Sequence, residues 1–131
     1  MLKTGPQLLE YLVEGLIYIS IADGKFHPEE DKFISKVATI FKIPNYKLAV
    51  IKARYVNDLK ASPYLILGVA SNEKVRKIKK QWQMLVHENH PDNLIAKGLP
   101  KEAITLATKK LIAINAAWIQ IKNQEKYSKI E

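Results

Sequence analysis

The first half of the chain carries three segments in which apolar residues recur at helical spacing. The segment from Pro6 to Ala22 has so broad an apolar surface that it predicts a largely buried helix. Pro28 is suited to the first turn of a second helix. The three acidic residues that follow it oppose the positive end of the helix dipole. The apolar stripe of that helix consists of Phe33, Ile34, Val37, Ile40 and Phe41. Asn45 is the predicted cap of a third helix that runs to about Leu59.

The second half begins with a short helical turn and a long amphipathic helix. Ser62-Pro63 opens a turn of helix over residues 64–67, and Gly68 suits the left-handed position that ends it. The stretch 64–69, taken alone, also fits a short strand. Ser71 is the predicted cap of the next helix. The buried stripe of that helix, at spacings of three, four and three, consists of Val75, Ile78, Trp82 and Leu85.

The opposite side of this helix is strongly basic. Its cations are Lys74, Arg76, Lys77, Lys79 and Lys80. Pro91 disfavours helical geometry at the residue before it, so the helix is expected to end at about Asn89. His90, Pro91 and Asp92 then stand at the mouth of a loop that runs to Pro100.

A final helix is predicted from Pro100, because proline suits the first helical turn. Its apolar stripe consists of Ile104, Ala107, Leu111, Ile114, Ala117, Trp118 and Ile121. This helix is expected to pack antiparallel to the basic helix. Trp82 and Trp118 lie on the apolar stripes, which favours core residues over ligand platforms. The predicted fold class is all-α.

Composition and charge narrow the possible functions. The chain has no cysteine, which excludes disulfides, thiolate nucleophiles and cysteine-ligated metal sites. No apolar run approaches the roughly 20 residues that a membrane-spanning helix needs. The net charge is +8; residues 1–60 carry nine bases and seven acids, whereas residues 61–131 carry twelve bases and six acids. The second half is therefore expected to seek an acidic partner.

Residues 62–126 resemble a J domain, the co-chaperone module that stimulates DnaK-type chaperone ATPases. The segment 64–69 is similar to the opening Tyr-x-x-Leu-Gly-Val of that family, and His90-Pro91-Asp92 matches its signature. The second-helix pattern is carried by Ile78, Lys79, Lys80, Trp82 and Leu85. The third-helix pattern is carried by Leu111, Ile114, Asn115, Ala117, Trp118 and Ile121.

A closer resemblance is to DjlA-like proteins, in which a TerB-like helical domain precedes the J domain. Residues 22–30 supply the TerB-like part, and residues 93–100 resemble the stretch that follows the signature in those proteins. The predicted organisation is a partial, three-helix TerB-like segment over 1–60 and a J domain with an antiparallel helical hairpin over 61–131. The family's membrane-anchoring N-terminus is not seen in this chain.

The resemblance implies a non-enzymatic co-chaperone that uses no metal or cofactor. Its DnaK-type partner would be contacted by His90, Pro91, Asp92, Arg76, Lys79, Lys80 and Gln83. Residues 1–60 would dock an unidentified client or other protein. The expected location is the cytoplasm, at the inner face of a membrane if the natural protein has an N-terminal anchor. Gln83, Met84, Asn89 and Asn93 depart from residue types common in the family, which bears on partner choice.

Other functions fit parts of the pattern. The basic second half also suits a nucleic-acid-binding or scaffold module, although aromatic residues are poorly interleaved there. An enzyme could use His90 and Asp92 as an acid–base pair, but no phosphate-binding loop or recognisable nucleophile accompanies them. His87, His90 and Asp92 lack an evident fourth metal ligand. Taken alone, His-Pro-Asp at a helix end is a common turn.

Overall fold

A computed structural model describes the backbone of residues 5–22, 25–56 and 61–130, and the side chains of 8–22, 25–56 and 61–125. Within these ranges the chain forms seven helices and no strand, which confirms the all-α prediction. None of the described helices is long and apolar enough to cross a membrane. The chain divides into two compact units, residues 1–60 and residues 61–131. The third helix ends at Tyr55, because Val56 has an extended backbone, so the prediction that it runs to about Leu59 is wrong. Leu59 itself lies outside the described residues.

The first unit contains three helices: α1 (Gly5–Ser20), α2 (Pro28–Ile40) and α3 (Asn45–Tyr55). Helix α1 packs against both of the others. Helix α2 begins at Pro28 as predicted, and the Glu30 carboxylate accepts a 3.1 Å hydrogen bond from the His27 backbone N–H at its start. The buried apolar residues of the unit are Val13, Ile17, Ile34, Ala38, Ile43, Leu48, Ile51, Ala53, Tyr55 and Val56.

Three other predictions for this unit are wrong in part. Helix α1 is not largely buried, because Leu8, Leu12 and Ile19 are at least half exposed. On α2, Phe33 and Ile40 are exposed, and the buried positions are Ile34 and Ala38. Asn45 is not a cap either. Pro44 has the extended backbone of an N-cap, and its carbonyl accepts from the N–H groups of Lys47 and Leu48.

A buried polar pair joins α1 to α3. The Tyr55 hydroxyl donates a 2.8 Å hydrogen bond to the Glu14 carboxylate, and both side chains are almost inaccessible to water. Burial and the neighbouring Glu14 charge raise the pKa of Tyr55 far above that of an exposed tyrosine. The neutral phenol is therefore the form that the folded unit requires.

This pair predicts an alkaline loss of stability in the first unit. The pKa of Tyr55 is higher in the folded than in the unfolded chain, so its contribution is fully present below about pH 10 and falls by up to about 1.4 kcal/mol per pH unit above it. Tyr55→Phe should remove this share of the pH dependence. Urea unfolding followed by circular dichroism between pH 8 and 11 measures it.

Fluorescence supplies the control for that experiment. Both tryptophans, Trp82 and Trp118, lie in residues 61–131, so their emission reports the second unit while circular dichroism reports both. An equal alkaline loss in the parent chain and in Tyr55→Phe would contradict the role given to this hydroxyl.

The second unit contains α4 (Pro63–Leu67), α5 (Val75–Asn89), α6 (Pro91–Ala96) and α7 (Lys101–Ile130). The Ser62 side chain accepts from the Tyr64 N–H at the start of α4, and Gly68 ends that helix in the left-handed conformation with φ of 73°. Both features follow the prediction. The buried core consists of Leu67, Ile78, Leu85, Ile114, Ala117, Trp118 and Ile121.

The core shows that the apolar stripes of α5 and α7 face each other, as their spacing predicted. Helix α4 packs against α7 and α5, so the helical interpretation of 64–67 is right and the strand alternative is wrong. Only residues 90–100 separate the end of α5 from the start of α7, and the two helices pack against each other. Helix α7 therefore returns along α5 as the second arm of a helical hairpin.

Two local predictions for this unit are wrong. Ser71 does not cap α5, because residues 70–73 form a turn in which the Glu73 N–H donates to the Ala70 carbonyl, and Lys74 is the N-cap. The signature tripeptide does not open an irregular loop. Instead, Pro91 and Asp92 form the first turn of α6, for which His90 is the N-cap.

Candidate functional site

His90 joins two helices, as the C-cap of α5 and the N-cap of α6. Its backbone is extended, with φ of −68° and ψ of 132°, because Pro91 disfavours helical geometry at the residue before it. The ring Nδ1 accepts a 3.1 Å hydrogen bond from the Asp92 backbone N–H. Since Nδ1 accepts, the neutral ring carries its proton on Nε2, which is the nitrogen left to donate to a partner.

Asp92 presents its carboxylate to solvent at the start of α6. Its side chain is 88% exposed, and one oxygen lies 3.8 Å from His90 Nδ1. Pro91 occupies the first helical position, where its missing N–H leaves no donor unsatisfied. The arrangement places an anionic acceptor on a short turn that the His90 cap holds by a hydrogen bond. A planar guanidinium is the donor that best matches such a carboxylate.

The basic side chains extend along α5 towards this turn. Arg76, Lys79, Lys80 and Gln83 are all exposed. Their spacing of three, four and seven residues places them on one face of the helix, and the same face continues to His87 in the last turn. Lys77 lies to the side and approaches Glu73 at 4.0 Å. We call the surface formed by these four residues the basic face; three of them, Arg76, Lys79 and Lys80, are cations and Gln83 is neutral.

The structure places the seven predicted contact residues on one helix and the turn that follows it. Six of them are exposed and Pro91 is partly buried. The positive basic face and the negative Asp92 therefore form a surface with charge of both signs. Such a surface can attract an acidic partner and also fix its orientation.

The other side of α5 is anchored in the second unit. Trp82 donates a 2.9 Å hydrogen bond from Nε1 to the Asn115 side chain on α7, and its ring stacks on Trp118 at a centroid distance of 5.2 Å. Gln81 donates to the Leu67 carbonyl at the end of α4. Trp118 is buried as predicted, whereas Trp82 is only partly buried. These contacts fix the direction in which the basic face points.

Sequence analysis named Asn89 and Asn93 only as departures from the family pattern and missed the hydrogen bonds by which they shape the turn. Asn93 donates from Nδ2 to the His87 carbonyl at 2.6 Å, and the same nitrogen lies 3.3 Å from His87 Nδ1. Asn89 is buried and donates to the Leu85 carbonyl one turn earlier. Pro91 was the sequence feature that could have indicated these hydrogen bonds. A helix that ends before a proline leaves backbone carbonyls without an N–H donor, and nearby side chains can supply one.

A shallow surface depression adjoins the turn. It is lined by Trp82, Gln83, Val86, His87, His90 and Asn93. Among the described residues, no three His, Asp or Glu side chains come together in a way that could hold a metal ion. The hypothesis of a metal bound by His87, His90 and Asp92 therefore gains no support from the geometry.

Comparisons with known proteins cover both units. Residues 1–53 match the family described as tellurite resistance protein TerB. Co-chaperone protein DjlA of Shewanella oneidensis is 25% identical over 130 residues, covering 90% of this chain and 50% of the relative. DjlA of Vibrio vulnificus strain YJ016 is 27% identical over 150 residues, covering 90% and 52%. DjlA of Coxiella burnetii is 41% identical over 68 residues, covering 52% and 24%.

No solved structure matches the chain significantly. The chain spans about half the length of the curated relatives that it matches along most of its own length. The resemblance to DjlA-like proteins is confirmed, since the chain is similar to DjlA co-chaperones over 90% of its residues and its first 53 residues match the TerB family.

Proposed function

We propose that the chain is a co-chaperone that binds a DnaK-type chaperone and stimulates its ATP hydrolysis. Residues 61–131 act as the J domain, and residues 1–60 dock a second protein. The observation that carries the proposal is the exposed Asp92 carboxylate, placed by the His90 cap at the end of the basic face. Similarity to proteins named co-chaperones supports it. The proposed place of action is the cytoplasm, including the inner face of a membrane.

The mechanism requires no bond-breaking chemistry in this chain. A protein shifts its partner towards one state only by binding that state more tightly than the others. Arg76, Lys79 and Lys80 attract an acidic surface and speed the encounter, because charge complementarity acts mainly on the association rate. Asp92 then accepts a charged hydrogen bond from a partner arginine in the state that hydrolyses ATP.

The test is single-turnover ATP hydrolysis by a DnaK-type chaperone, measured over a range of concentrations of this chain. The expected result is a saturable increase in the hydrolysis rate. The proposal is contradicted if a saturating concentration of this chain leaves the chaperone's hydrolysis rate unchanged and the chain binds the chaperone in no nucleotide state. Salt-sensitive DNA or RNA binding in that case would favour the nucleic-acid-binding alternative.

Charge reversal on the basic face tests the docking step. Lys79→Glu combined with Lys80→Glu should raise the half-saturating concentration about tenfold at low salt, because two attractive charges become repulsive. The difference should shrink as salt increases. The assay is the same hydrolysis titration, repeated at several salt concentrations.

The matched control reverses two exposed lysines in the other unit. Lys32→Glu combined with Lys36→Glu changes the net charge by the same amount on α2. This variant should have the same half-saturating concentration for ATPase stimulation as the parent chain. Equal weakening by the two double variants would mean that total charge, and not the basic face, governs binding.

A further inference from the structure

The His87 carbonyl in the last turn of α5 receives only a weak hydrogen bond from the backbone. The His87 oxygen receives the His90 N–H at 3.4 Å, close to the limit of a hydrogen bond. Pro91 follows at once and contributes no N–H of its own. Asn93 supplies the stronger bond, from Nδ2 to the same oxygen at 2.6 Å. A side chain of α6 thus ties α6 to the end of α5.

The bonds across this turn run in both directions. The His90 side chain accepts from the Asp92 N–H and caps α6, while the Asn93 side chain donates to His87 and caps α5. Asn93 Nδ2 also lies 3.3 Å from His87 Nδ1 and donates to it when that nitrogen carries no proton. Leu94 is buried and anchors the middle of α6.

Asp92 depends on this arrangement for its direction. Its side chain is 88% exposed, so packing does not hold the carboxylate in place. The backbone of the first turn of α6 therefore sets the position and direction of the Asp92 Cα–Cβ bond from which the carboxylate extends. The two residues flanking Asp92 are Pro91, which fixes its own φ, and Asn93, which fastens the turn to α5.

We propose that Asn93 is a positioning residue that orients Asp92 by fastening α6 to the last turn of α5. The inference rests on the proposed function, in which Asp92 contacts the partner. A carboxylate on a backbone that is already ordered binds more tightly, because less conformational freedom is lost on docking. Loss of the Asn93 side chain should therefore weaken docking without changing any charge on the surface.

The variant that tests this is Asn93→Ala. The half-saturating concentration for ATPase stimulation should rise about fivefold, the size expected when one hydrogen bond is lost. In parallel, NMR relaxation should show larger backbone motion at Asp92 and His90 in the variant than in the parent chain. Unchanged stimulation together with unchanged motion would overturn the proposal.

A matched control removes a comparable hydrogen bond elsewhere in the same unit. Ser62→Ala deletes the side-chain oxygen that accepts from the Tyr64 N–H, at the start of α4 rather than at the turn. It should leave the motion of Asp92 unchanged and have a much smaller effect on stimulation. If both variants weaken stimulation equally, Asn93 contributes only to general stability and the proposal fails.

A double-mutant cycle asks whether Asn93 acts through Asp92. In a chain that already carries Asp92→Asn, the further change Asn93→Ala should add little, because the group that it positions has lost its charge. Fully additive effects would overturn the proposal. If the parent chain gives no stimulation at all, the proposed function fails, and the relaxation measurement alone decides whether Asn93 orders Asp92.

Discussion

Asp92→Asn is expected to lower stimulation of a DnaK-type chaperone by about tenfold or more at a subsaturating concentration of the chain. The substitution keeps the shape of the side chain but removes its charge, and a hydrogen bond to a charged group is worth about 1.5–3 kcal/mol. The side chain is 88% exposed, so it makes little packing contact that the change would disturb. Single-turnover hydrolysis measures the effect, and thermal unfolding of the variant should match that of the parent.

Glu88→Gln is the matched control for this experiment. Glu88 is an exposed carboxylate in the last turn of α5, only a few residues from Asp92. The change removes the same charge with the same isosteric replacement, and stimulation should stay near that of the parent chain. Equal losses in the two variants would show that local negative charge matters and that the position of Asp92 does not.

The large expected effect of one surface carboxylate follows from how the fold supports it. The α5–α7 core fixes the direction of α5, the His90 cap starts α6 at the end of that helix, and Asn93 fastens the two together. The first step uses apolar burial, and the other two use hydrogen bonds between a side chain and the backbone. Damage to the core should therefore reduce activity through stability, whereas damage at the turn should reduce it with the fold intact.

Periodicity and proline predicted the part of the structure that carries this site. The stripe containing Ile78 and Leu85 is buried, and α5 ends at Asn89 because Pro91 follows so closely. Both signals are local, since they depend on the spacing of apolar residues and on the backbone limits of one residue type. The seven predicted contact residues consequently lie on one helix and its adjoining turn.

Periodicity could not show which apolar faces are covered. Leu8 and Ile19 on α1, and Phe33 and Ile40 on α2, follow helical spacing yet are more than half exposed. Spacing determines which residues share a face of a helix. Burial depends on whether another element packs against that face, and this is a property of tertiary structure.

Cap predictions failed where a nearby backbone bond competed. Ser71 is a suitable cap residue, but the turn closed by the Glu73 N–H moves the start of α5 to Val75.

The Asn93 side chain bonds to His87, six residues earlier, and this separation has no standard sequence signature. Its residue type was visible in the sequence, whereas its role required the relative position of two helices.

Trp118→Ala is expected to lower the free energy of unfolding of the second unit by about 3–5 kcal/mol. Trp118 is 7% exposed within the α5–α7 core, and removing a buried tryptophan loses both its transfer free energy and the packing around the cavity. The stacked pair with Trp82 adds about 0.5–1.5 kcal/mol. Urea unfolding followed by fluorescence measures the loss, because Trp82 remains as the single reporter.

Ile119→Ala provides the comparison on the same turn of α7. Ile119 is 54% exposed, so its truncation should cost much less than that of its buried neighbour. A loss as large as 3–5 kcal/mol is a considerable part of the roughly 5–15 kcal/mol that stabilises a typical domain. Trp118→Ala should therefore show weaker ATPase stimulation at 37 °C than at 15 °C, relative to the parent chain at each temperature. Similar unfolding free energies for the two variants would contradict the assignment of Trp118 to the core that holds the basic face in place.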